Sequence, residues 1–148
     1  MFTSERILKF VNYVMKDGKK YLATRLVEAT FEEITKKGHK PEELFDKAVE
    51  NVLPRIEVRP KRVGGSIYQV PQEVKPKRQL ALAFRWILDS ARAKKGGKFA
   101  TALAQEFIEA SSESGNAFKK KLEVYKQAEA NKAFARFATP KVKTAGAK

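Results

Sequence analysis

The sequence contains no cysteine and a single histidine, His39, in 148 residues. The first absence removes disulfides, thiolate metal sites and thiol nucleophiles together, and it fits a reducing compartment. The second removes most routes to acid–base or metal chemistry. A lone histidine between Gly38 and Lys40, in an expected loop, has neither a base partner nor a second ligand in view. There is no run of eighteen apolar residues, so no segment is expected to span a membrane. Met1 to Phe10 interleaves charge and apolar residues too closely for a secretory signal, and the early Glu5 argues against a transit peptide. Acid is scarce beside base, with 17 Asp and Glu against 31 Lys and Arg and a formal net charge of +14. Hydrophobic residues still make up 43%, enough for one domain of this length to bury a moderate core.

Such an excess of positive charge attracts polyanions, chiefly nucleic acid, by counterion release. Its distribution sharpens that reading. Net charge is +3 over residues 1–20, −2 over 21–54, +5 over 55–78, +4 over 79–98, −3 over 99–115 and +7 over 116–148. Basic segments thus alternate with acidic or near-neutral ones, as a one-sided phosphate-binding surface requires.

Apolar spacing predicts a mainly α fold of about six helices in one bundle-like domain. Ser4 is placed to cap the first helix, which Asp17-Gly18 ends, with Ile7, Val11, Val14 and Met15 as its stripe. The second runs from about Lys20 to Lys36, with Leu22, Leu26, Val27, Phe31 and Ile34 inward, and Pro41 opens the third, with Leu44, Phe45, Ala48, Val49 and Val52 inward. A fourth, about Lys77 to Lys94, buries Leu80, Ala83, Phe84, Ile87, Leu88 and Ala91. A fifth covers about Phe99 to Ser112 and a sixth about Asn116 to Phe137. Between the third and fourth helices, residues 55–76 lose helical periodicity. Two short alternating runs flank Gly64-Gly65, and Pro60, Pro71 and Pro76 restrict them to edge strands, so a protruding two-stranded β-ribbon is expected. A hairpin alone is marginal in water, and such an arm usually gains order from a partner. Residues 1–138 then form one helical unit, and 139–148 form a basic tail expected to be disordered when free.

Chemistry of the catalytic kind finds little support. Glu32-Glu33 and Glu42-Glu43 are sequence neighbours, which do not face one another on a helix. The two glycine pairs, Gly64-Gly65 and Gly96-Gly97, lack the remaining residues of a phosphate-binding P-loop and read as turns. Candidate phosphate ligands are plentiful. Lys16, Lys19 and Lys20 surround one turn, and Arg59, Lys61 and Arg62 lie on the ribbon. Lys75 lies just before the fourth helix, and Lys77, Arg78, Arg85, Arg92, Lys94, Lys95 and Lys98 lie on and after it. The run Lys119-Lys120-Lys121 opens the sixth, a solvated face by default that the neighbouring basic tail turns toward phosphate. Tyr68 and Gln69 within the basic ribbon are candidates for stacking on, or hydrogen-bonding to, an unpaired base. Packing of Tyr68 against Ile56 or Val58 is an equal alternative. Trp86, beside the Phe84–Ile87 stripe, reads as core.

Several stretches resemble a known family. Asp17-Gly18-Lys19-Lys20 follows the first helix. Glu50-Asn51-Val52, Pro54, Glu57-Val58, Arg62-Val63-Gly64-Gly65, Tyr68-Gln69-Val70-Pro71, Glu73-Val74, Pro76, Ala81-Leu82-Ala83 and Arg85-Trp86 run in order through the ribbon into the fourth helix. Ala128-Glu129-Ala130-Asn131-Lys132-Ala133-Phe134-Ala135 closes the series. Together, from Ile7 to Phe137, they resemble the bacterial-type small ribosomal subunit protein seven family. Lys61 stands where arginine is common in that family, and Leu122, Tyr125 and Gln127 depart from its pattern in the sixth helix.

The resemblance implies a structural constituent of the small ribosomal subunit, located in the cytoplasm or in an organelle that keeps a bacterial-type ribosome. It implies binding to the 3′ major domain of small-subunit rRNA and nucleation of head assembly, with no enzymatic activity and no cofactor or metal. The ribbon, with Arg62, Gly64, Gly65, Tyr68 and Gln69, would lie near the exit-site tRNA and mRNA path. Small-subunit proteins nine, eleven and thirteen would be neighbours. The competing reading is a free-standing RNA- or DNA-binding regulator, including one that represses its own message. An enzyme acting on RNA ranks third.

Overall fold

The computed structural model describes Phe2, residues 4–94 and residues 96–137. The expected basic tail and Lys95 lie outside these residues. Among the described residues the order is α1 (Glu5–Val14), α2 (Lys20–Lys36), α3 (Pro41–Val52), β1 (Ile56–Val63), β2 (Ser66–Glu73), α4 (Pro76–Ala93), α5 (Phe99–Ser111), α6 (Gly115–Ala130) and a terminal 3-10 turn (Lys132–Phe137). The expected mainly α architecture with a ribbon between the third and fourth helices is the one observed. No described helix is long and apolar enough to cross a membrane.

Helical periodicity places one stripe of each of the first five helices inward. α5 is central and packs against α2, α3 and α4. Four phenylalanines from four helices meet there. Phe10 of α1 lies 5.6 Å from Phe45, 5.1 Å from Phe84 and 5.4 Å from Phe107, ring centre to ring centre, each edge-on. Each ring is fully buried, and each burial is worth roughly 1.5–3 kcal/mol. Asn51, near the end of α3, donates from Nδ2 to the carbonyls of Ala110 and Ser111 at 2.9 and 3.1 Å. It thereby satisfies carbonyls at the C-terminal end of α5 that have no partner within the helix.

Several local expectations need correction. Ser4 occupies the cap position of α1, but its side chain makes no capping hydrogen bond. α1 ends at Val14, before Asp17-Gly18, and those two residues form the left-handed turn that follows (φ +55° and +73°). Phe10, absent from the expected α1 stripe, is fully buried and meets three other phenylalanine rings. Leu22, expected inward, is 52% exposed, because the buried face of α2 is set by Ala23, Val27, Thr30, Phe31 and Ile34. The sixth helix stops at Ala130, and residues 132–137 tighten into the 3-10 turn.

In the ribbon, Ile56 pairs with Glu73 and Val63 with Ser66, antiparallel, and Gly64-Gly65 closes the hairpin. Both glycines have positive φ, +58° and +85°, which a two-residue hairpin turn of this twist demands. The arm is not left to an outside partner for order. Val70 in β2 and Val74, just after it, are buried. The terminal turn packs against β2, and α6 packs against β1. At the ribbon's root the Arg55 amide donates to Tyr125 Oη at 2.8 Å.

Candidate nucleic-acid interface

The basic side chains divide into two groups by what surrounds them. One group is tied into the protein. Glu57, expected as one of the polar residues alternating through the ribbon, is buried and collects two arginines. Arg78 donates from Nε to its Oε1 at 2.8 Å, and Arg59 Nε lies 3.6 Å from the same oxygen. The hydrogen bond to Glu57 raises the Arg78 pKa above its ordinary value. Lys61 donates from Nζ to the Phe137 carbonyl. Arg92 lies with its guanidinium over the Phe99 ring, 5.9 Å from the centroid, and 3.5 Å from the Val14 carbonyl at the end of α1.

Lys94 also belongs to this group. Its Nζ lies 3.3 Å from Glu106 Oε1 and 3.9 Å from Glu109 Oε2. Glu106 is fully buried, and neither of its carboxylate oxygens has a hydrogen-bond partner of good geometry among the described residues. Burial pushes its pKa up, and nearby Lys94 only partly opposes that. Lys121, third in the Lys119–Lys121 run, is turned inward by the helical repeat. It donates to the Asn51 carbonyl at 2.9 Å and lies over the Tyr125 ring at 5.4 Å. Burial, and secondarily the nearby Arg55, lowers its pKa.

The second group is exposed and makes no ion pair within the described chain. It comprises Lys16, Lys19 and Lys20 in the α1–α2 turn, Arg62 near the ribbon tip, and Lys75 and Lys77 at the start of α4. Arg85 on the outer face of α4, Lys98 before α5, and Lys119 and Lys120 in α6 complete it. Charges held in water without a partner remain available to phosphate. Lys16, Lys19 and Arg92 border one cleft, and Lys94 and Lys98, with Lys37, border another. His39 is exposed in the turn after α2.

Tyr68 packs against neither Ile56 nor Val58. Its ring centre lies 4.9 Å from that of Phe134 and 5.2 Å from that of Phe137, both in the terminal turn. Gln69 remains exposed, and Trp86 is half-buried against the core. Two residues escaped sequence reasoning. Glu106 carried a legible signal, since it falls among Leu103, Phe107 and Ala110 on the apolar face of α5. Tyr21 carried a weaker one. It is 76% exposed beside the lysine turn, with the Arg25 guanidinium 5.7 Å from its ring centre, and it lies off the Ala23–Val27–Phe31 stripe.

Comparison with known proteins adds what geometry alone does not. Residues 1–132 match the family described as Ribosomal protein S7p/S5e. The small ribosomal subunit protein uS7 of Nautilia profundicola is 49% identical over 138 residues, covering 93% of this chain and 89% of its own length. The protein of the same name from Sulfurimonas denitrificans is 46% identical with the same coverage. That of a Thermoanaerobacter species is also 46% identical, covering 93% of this chain and 88% of its own length. A continuous match through helices, ribbon and lysine turn, at nearly half identity, fixes the assignment: the chain belongs to the ribosomal protein S7p/S5e family, whose role is structural and ribosomal rather than enzymatic.

Proposed function

We propose that the protein binds the 3′ major domain of small-subunit rRNA, nucleates assembly of the subunit head and turns its ribbon toward the exit-site tRNA and the outgoing mRNA. Residues 1–138 act as one RNA-binding unit, and the basic segment 139–148 adds charge to it. Small-subunit proteins nine, eleven and thirteen are the proposed neighbours. The observation that carries the reading is the set of exposed, unpaired basic side chains held on a rigid helical frame, in a chain of this family. Phosphate contacts from such side chains fix register on a folded RNA. The ribbon tip, with Arg62 and Gln69 exposed around Gly64-Gly65, offers donors and acceptors to a nucleic acid strand, and Ile67 adds one exposed apolar side chain beside them.

Chemical footprinting of small-subunit rRNA, with and without the protein, tests the proposal. Protection should concentrate in the 3′ major domain. Protection scattered evenly over the RNA would contradict it. Cofractionation gives the cellular counterpart: the protein should stay with small subunits through a moderate salt wash, whereas a free-standing regulator would wash off.

A further inference from the structure

A cleft of about 340 Å³ opens where the α1–α2 turn meets the ends of α4 and α5. Its inner surface is apolar, formed by Val14, Ala23 and Leu26, with Leu22 at the edge. Leu22 is half exposed at the start of α2, next to the still more exposed Tyr21, while Val27, Phe31 and Ile34 turn inward, so the described residues leave this apolar lip uncovered. The far wall is Phe99 with the Arg92 guanidinium lying over it, and the contact of Arg92 with the Val14 carbonyl holds that wall to α1. Lys16 and Lys19 stand at the mouth, exposed and without ion pairs. Asp17 between them has φ +55°, a conformation that is uncommon for a residue with a side chain and that tends to gather at functional sites.

An occupant has to combine a flat apolar part with flanking negative charge. A nucleotide of unpaired RNA does so. Unstacked bases are held on aromatic rings and guanidinium planes, with their phosphates on basic side chains. The volume is at the low end of small-molecule sites, roughly 300 Å³ upward, which suits one base rather than a run of them. We propose that this cleft receives a single unstacked nucleobase of the bound RNA, with Lys16 and Lys19 holding the phosphates on either side of it. Asp17 at the rim repels phosphate from the opening and accepts from a base edge that carries an N–H. The inference rests on the RNA-binding reading above and adds a base-specific site to it.

The test uses the full-length protein and a fragment of the 3′ major domain, with base reactivity probed nucleotide by nucleotide and affinity measured across salt. Leu22→Ser, at a half-exposed position, should leave the fold intact, which circular dichroism checks. It should weaken binding roughly tenfold, leave the salt slope unchanged and restore reactivity at one base while neighbouring backbone protection persists. Lys16→Gln with Lys19→Gln should instead lower the log–log salt slope by about 1.4–1.8. If the unsubstituted protein binds but Leu22→Ser changes neither affinity nor any base's reactivity, the cleft takes no base and the inference fails while RNA binding stands. The inference also fails if a crosslinker on Leu22→Cys in reassembled subunits captures protein rather than RNA. If the unsubstituted protein does not bind the fragment at all, the functional reading falls with it.

Discussion

The helical body and the ribbon are ordered by different means. In the body, four phenylalanines from four helices bury one another, and the surrounding stripes of Ala, Val, Leu and Ile complete a continuous core. In the ribbon, eight residue pairs stand on one fully covered valine, Val70, and a buried carboxylate, Glu57, with Val74 buried just beyond them. The remaining order comes from elements distant in sequence: Tyr125 of α6 at the root, and Phe134 and Phe137 against Tyr68 further out. A charged arm can thus be held out from a small protein without a core of its own, provided a later turn, here residues 132–137, comes back to clasp it.

That contrast predicts a graded set of effects. Phe10→Ala should cost about 3–5 kcal/mol in urea denaturation, because it removes the ring that meets three others. A cost under about 1 kcal/mol would mean that the body is not organised around that cluster. Gly115→Ala comes next. An added Cβ would sit 2.8 Å from Glu109 Oε2 and 2.9 Å from Glu109 Cβ, at φ +89°. A loss of about 1–3 kcal/mol is expected, and full native stability would show that the α5–α6 junction is looser than this.

Phe134→Ala with Phe137→Ala acts on the ribbon alone. Each aromatic pair is worth about 0.5–1.5 kcal/mol beyond buried area, so amide exchange over 56–73 should speed up while exchange in α3 and α5 stays unchanged. Uniform acceleration throughout would erase the distinction between the two regions. The smallest effect concerns Glu106. Its raised pKa means that the folded state binds the proton more tightly than the unfolded chain does. The stability from this group is therefore present at low pH and is lost as pH climbs from the ordinary carboxylate range through the raised folded value. Glu106→Gln should flatten that part of the pH–stability profile, and an unchanged slope would assign it to other groups.

The body was largely legible in the sequence, because burial on a helix repeats every three or four residues. Leu44, Phe45, Ala48, Val49 and Val52 on α3, and Leu103, Phe107 and Ala110 on α5, are buried as their spacing requires. Leu22 misled because an apolar residue at a helix start fits two phases, and only Ala23 and Val27 packing inward decides between them. The ribbon's position and turn were legible from Gly64-Gly65 and the prolines. Its clasp was not, since nothing local announces that residues 134 and 137 return to residue 68.

The candidate interface was legible as charge and illegible as geometry. Arg78, Lys94 and Lys119 are alike in sequence as basic candidates. Only the fold shows that Glu57 and Glu106 hold the first two while the third stays free in water. Arg78 and Lys94 are therefore proposed as supports of the interface, and the exposed basic residues as its phosphate contacts.

The most direct test is the affinity of the full-length protein for a 3′ major domain fragment between 50 and 200 mM salt, about the range over which multiple phosphate contacts separate from few. The exposed basic set predicts a steep fall, with slope reduced by about 0.7–0.9 for each of Lys20, Arg62 and Lys120 changed to Gln, while Lys121→Gln loosens the contact of α6 with the end of α3 instead. Equal binding to heparin and to the rRNA fragment, with a slope indifferent to those substitutions, would contradict the account.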